Sequence, residues 1–146
     1  VTHQMVGRCL AAATAVLLAG CTAKAPASVP PGVLVPGTAE ISINGAQVGS
    51  TYDVQCSQTG PQLLIDTGDD AAGTHSMIRL DNAAILEFTQ IRNVDGFTGS
   101  YWNGLGPEAE VQLNQNTFTI TGVADGFAED NPSARISQPF SIKVAC

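Results

Sequence analysis

In "PFSIKVAC", residues 139–146, Phe140, Ile142, Val144 and Cys146 alternate with Ser141 and Lys143. Side chains two apart share one side of an extended chain, so this is a strand with one dry and one wet face. The same period recurs upstream. "NTFTIT", 116–121, sets Phe118 and Ile120 against Thr117, Thr119 and Thr121, as an antiparallel sheet wetted on one side requires. "AEISIN", 39–44, alternates Ile41 and Ile43 with polar neighbours and ends at Asn44-Gly45, a strong hairpin cue. "STYDVQC", 50–56, places Tyr52, Val54 and Cys56 on one face of what reads as a single strand.

Between these lie "QLLID", "SMIRL", "AAILEFTQI", "GSYW" and "AEVQL", each bounded by Gly, Asp, Asn or Pro. Only residues 76–92 carry a helical spacing, through Leu80, Ala84 and Phe88, and Asp81-Asn82 breaks it into two strands. About eight short strands in residues 39–146 imply an all-β domain, a compact antiparallel β-sandwich or partly closed barrel.

The amino-terminal region has a different character. Arg8 is followed by an apolar run from Cys9 to Leu18 and then by "LAGC", 18–21. The run is short for a membrane span but suits the apolar region of a secretory signal. Its ending resembles a bacterial lipobox, in which the cysteine is acylated and the preceding residues removed; an ordinary signal with an incidental cysteine is the alternative. The expected organisation is a signal peptide over 1–20, acylated Cys21 with a Pro/Ala-rich flexible tether over 21–38, and one β-domain over 39–146. In "TAKAPASVPPGVLVPGT", 22–38, the prolines favour an extended course.

Of four cysteines, Cys9 leaves with the signal and Cys21 is acylated, so Cys56 and Cys146 remain to pair in an exported, oxidising compartment. Both belong to the apolar side of their strands, which predicts a bridge inside the core.

Six basic residues stand against thirteen acidic ones, and no Lys/Arg cluster forms. A polyanion-binding surface needs such a cluster, so nucleic acid is not an expected partner.

"QLLIDTGDD", 62–70, has the apolar approach and Asp-Thr-Gly of an aspartic protease strand. A protease dyad shares one proton between two carboxylates, and Asp69 and Asp70 beside Asp66 would crowd it with like charge. Asp66 instead reads as the end of a strand, with "TGDDAAG" as a solvated turn in which Gly68 takes a positive φ. The three carboxylates lack the spacing of a calcium loop. His75 and Ser76, being adjacent, point to opposite faces in a strand and do not make a nucleophile with its base; they read as a surface pair. No catalytic residue, cofactor or metal site is expected.

"GFTGSYWNGLG", 96–106, gathers Phe97, Tyr101 and Trp102 in a Gly-rich stretch. Tyr101 and Trp102 face opposite ways if extended, so these three aromatics form a candidate binding surface for a lipid or glycan, or else cover one end of the core.

"SINGAQVGSTYDVQC" (42–56), "RNVDGFTGSY" (92–101), "TFTITGVADGF" (117–127) and the terminal "FSIKVAC" (140–146), in that order, resemble the mycobacterial nineteen-kilodalton lipoprotein antigen family. The likeness spans nearly all of Ile41 to Cys146. It implies a non-enzymatic, surface antigen-like all-β lipoprotein, lipid-anchored at the outer face of the cell membrane, whose acylated amino terminus is open to host innate receptors. The tether here is richer in Pro and poorer in Thr and Ser than the family's, so tether glycosylation is not carried over. An envelope lipid or glycolipid carrier is the alternative function, and an aspartic protease-like hydrolase a remote one.

Overall fold

The computed structural model describes residues 28–51 and 53–146; residues 1–27, with Cys21 and the signal, lie outside the described residues, as does Tyr52. Among the described residues every regular element is a strand: β1 Ala39–Ile43, β2 Ala46–Thr51, β3 Val54–Thr59, β4 Gln62–Gly68, β5 Gly73–Arg79, β6 Ile85–Val94, β7 Phe97–Trp102, β8 Glu110–Asn114, β9 Thr117–Ala128 and β10 Asn131–Ala145. The break at residues 80–84 separates β5 from β6, so residues 76–92 are two strands.

All pairings are antiparallel. The strand order is β2-β1-β10-β9-β7-β6-β5-β4-β3, with β8 paired to β9 beside β7. The two edge strands, β2 and β3, follow one another in the chain. "STYDVQC" is therefore not a single strand. Its first part pairs with β1 and its last part with β4, and the Gly68 amide donates to the Asp53 carbonyl at 2.8 Å where the partner changes. This corner brings the edges of the sheet round to meet, and the sheet is a nearly closed barrel.

Local sequence sets the hairpins. Asn44 and Gly45 have φ of 51° and 77°, the doubly left-handed turn that matches strand twist, and Asp95-Gly96 repeats it at 51° and 72°. The barrel interior is filled by the apolar alternation of β1, β4, β5, β6, β9 and β10, including Ile65, Ile78, Ile91, Ile120 and Ile142. Burying each such side chain is worth about 2 kcal/mol. Phe97 and Phe140 lie inside as well; a Cβ on Gly99 would stand 2.6 Å from the Phe97 ring, and one on Gly122 2.9 Å from that of Phe140. The interior also holds hydroxyls. Thr67 and Thr74 share a hydrogen bond of 2.7 Å and Ser76 bonds to Thr89, which removes the cost of burying them.

The described part of the expected tether touches this barrel. The Leu34 amide donates to Thr117 Oγ1 at 2.9 Å, and Gly37 and Thr38 exchange backbone bonds with Ala145.

Candidate functional site

Cys56 and Cys146 form a disulfide, with Cα atoms 5.9 Å apart. The expected burial of this bridge is corrected, because both cysteines are exposed. Cys56 does lie opposite buried Ile65, but β3 is an edge strand with no neighbour to cover it, and Cys146 follows the last residue of β10.

Asp66 does not end a strand. It lies within β4 on the outer face, opposite His75 of β5, and its Oδ1 is 2.5 Å from His75 Nδ1. Ser76 is not a surface residue; it points into the barrel, where its hydroxyl meets Thr89. The residues that the sequence raised as hydrolytic candidates are thus divided by the barrel wall. Asp69 serves the turn: its Oδ1 accepts the Ala71 and Ala72 amides at 2.8 and 2.9 Å. Those two backbone bonds, that from Ala72 foremost, hold its carboxyl below the usual aspartate pKa.

The three aromatics singled out in the sequence divide in the same way. Phe97 and Tyr101 are buried at 3% and 4% exposure, and the Tyr101 hydroxyl accepts the Ala109 amide at 3.2 Å. Trp102 faces outward and is 45% exposed.

Strand register gives Trp102 its company. Leu64, Met77, Phe88 and Trp102 lie directly opposite one another on β4, β5, β6 and β7, forming an apolar row across the outside of the barrel. The Phe88 and Trp102 ring centroids are 5.1 Å apart and those of His75 and Phe88 5.3 Å, spacings at which aromatic pairs attract. Two residues along each strand runs a second row, Asp66, His75, Gln90, Ser100, Asp125 and Ser137, all polar, crossing β4 to β10. Ser137 donates its hydroxyl hydrogen bond to Asp125. Rows two residues apart on the same face stand about 6 to 7 Å from each other.

Arg79 flanks the apolar row. Its Nε donates to Glu87 at 2.6 Å and its Nη1 to Asp81 at 3.0 Å; these bonds, Glu87's first, raise the guanidinium pKa further. Beyond Trp102, a groove of about 600 Å³ is lined by Ser100, Trp102, Leu105, Asp125, Arg135 and Ser137 among others.

Phe88, Asp125 and Arg135 did not stand out in the sequence. Phe88 carried only a helical spacing, and the rows exist only once strand register is known.

The sequence profile described as Mycobacterium 19 kDa lipoprotein antigen matches residues 32–146. The chain belongs to this family. Within the 19 kDa lipoprotein antigen family, it is similar to a putative lipoprotein of Mycobacterium indicus pranii, at 32% identity over 135 residues covering 91% of each chain. The probable lipoprotein LppE of Mycobacterium tuberculosis is 30% identical over 109 residues, 74% of this chain and 77% of LppE. Lipoprotein LpqH of Mycobacterium avium is 30% identical over 108 residues, 73% of this chain and 67% of LpqH. The family resemblance read from the ordered motifs is therefore correct. Membership makes the chain a mycobacterial lipoprotein of antigen type, associated with the envelope.

Proposed function

We propose that this protein is a non-enzymatic envelope lipoprotein, held at the outer face of the cell membrane by acyl chains on Cys21 and presenting its barrel to the surroundings. The observation that carries the reading is the apolar run ending in Leu18-Ala19-Gly20-Cys21, in a chain that belongs to a lipoprotein family. Cleavage before Cys21 leaves an acylated terminus, then residues 21–38 as a tether whose last residues, from Leu34 on, are bonded to the barrel, and the domain over 39–146. One acyl chain holds a protein only marginally at a bilayer, whereas two or more hold it stably. The same acylated terminus is the feature that host innate receptors would sense.

A non-enzymatic role is supported by the separation of Ser76, inside the barrel, from Asp66 and His75, outside it. A second reading, a lipid or glycolipid carrier, has one observation in its favour, the apolar row ending at exposed Trp102. Since the interior is filled by side chains, such a ligand would lie on the outer face.

The anchor is tested by detergent phase partitioning of the expressed full chain. The native protein is expected in the detergent phase and Cys21→Ser in the aqueous phase; equal partitioning of the two overturns the anchor.

A further inference from the structure

The two outer rows differ in chemistry and lie side by side, and we propose that the groove where they meet Trp102 binds a neutral saccharide. The inference goes beyond anchorage and does not depend on it. Trp102 backs onto Phe88, with ring planes 31° apart, and remains 45% exposed. A sugar ring offers a face of C–H groups that an exposed indole can cover, while its hydroxyls project from the ring edge. Each hydroxyl both donates and accepts, so a site for it needs donors and acceptors lining the same groove as the aromatic platform.

The polar row supplies them. Ser100 offers a hydroxyl, Asp125 a carboxylate and Ser137 a second hydroxyl, on three adjacent strands. Arg135 lines the same groove and forms no ion pair among the described residues. Hydrogen bonds from a hydroxyl to a carboxylate, or from a guanidinium to a hydroxyl, are charge-assisted and stronger than neutral ones.

Charge favours a neutral ligand. Asp125 and Arg135 are the groove's carboxylate and guanidinium, one of each, so an anion or a cation gains from one and is repelled by the other. The groove's volume, about 600 Å³, lies within the usual range for small-ligand sites. An acyl chain fits less well. Ser137 already bonds to Asp125, but an acyl chain would displace water from Ser100, from the remaining acceptors of Asp125 and from Arg135 without replacing those hydrogen bonds, and leaving covered polar groups short of partners is costly.

The test uses the full chain carrying Cys21→Ser, oxidised, so that acylation plays no part. Neutral gluco-, manno-, galacto- and arabino-oligosaccharides are screened on an array, and hits are measured by titration calorimetry and by emission of Trp102, the sole tryptophan. At least one neutral class is expected to bind and to shift that emission. Trp102→Ala and Asp125→Asn are each expected to weaken calorimetric binding by about tenfold or more, a difference of about 1.4 kcal/mol. Leu113→Ala, exposed on β8 outside the groove, should leave binding unchanged. If Trp102→Ala does not fold, Asp125→Asn and Arg135→Gln, both at exposed positions, carry the test. No neutral saccharide binding at millimolar concentration overturns the proposal, as does binding that survives both Trp102→Ala and Asp125→Asn. A free oligosaccharide that binds as well as the glycolipid bearing it supports sugar recognition; binding of the glycolipid together with its sugar-free lipid, but not of the free sugar, refutes it.

Discussion

Cys56 and Cys146 join the edge strand β3 to the end of β10, the third strand in from the other edge, across 90 residues of sequence. The bond ties together two flanks of the sheet between which no strand pairing runs among the described residues. By chain entropy a loop of that length stabilises the fold by about 4 to 5 kcal/mol. Cys56→Ser with Cys146→Ser is expected to lower the unfolding free energy by up to that amount in urea titrations. Because the bridge is exposed, a mild reductant should open it in the native protein, with the far-ultraviolet circular dichroism of the barrel retained.

The Asp66–His75 pair lies on the outer wall with both side chains partly in water. Pairs so exposed contribute about 0 to 1 kcal/mol. Asp66→Asn is expected to change the urea midpoint little.

Asp69 makes its turn sensitive to acid. Its carboxyl is held below the ordinary value of 3.8 by the Ala72 and Ala71 amides. A depressed folded pKa means that the turn's stabilisation is fully present above the unfolded value and is lost as pH falls through the folded one. The amide proton shifts of Ala71 and Ala72 should titrate with a common midpoint below 3.8, and Asp69→Ala should abolish that titration.

Gly126 faces Gly99 where β7 meets β9, and a Cβ on Gly126 would stand 2.0 Å from the Thr98 carbonyl oxygen. Backbone cannot yield as a flexible side chain does, so Gly126→Ala should cost about 3 kcal/mol or more. At Gly45 a Cβ meets open space and only the positive φ is strained, so Gly45→Ala should cost about 1 kcal/mol. Unfolding curves of the two variants compare the effects directly.

Much of this barrel is legible in residue order. The alternation in "PFSIKVAC" and "NTFTIT" places Phe140, Ile142, Val144, Phe118 and Ile120 inside, and Asn44-Gly45 makes its hairpin. Burial drives that alternation, and it needs only neighbours along the chain. Pairing is a different matter. That β2 and β3 take different partners, that Cys56 falls on an uncovered edge, and that Ser76 turns inward toward Thr89 depend on strand order and on register across the sheet. For the same reason the sequence raised Trp102 but neither Phe88 beside it nor Asp125 one row away. A bulge at Glu87 lets Phe88 face outward beside Met77, and nothing local to "AAILEFTQI" announces that bulge.

The proposed anchorage depends on acylation of Cys21. Mass spectrometry of the protein purified from membranes should give an amino-terminal peptide that begins at Cys21, with no residues before it, carrying the added mass of a diacylglyceryl group. A membrane-derived peptide running through Gly20 into a Cys21 with a free thiol would contradict it.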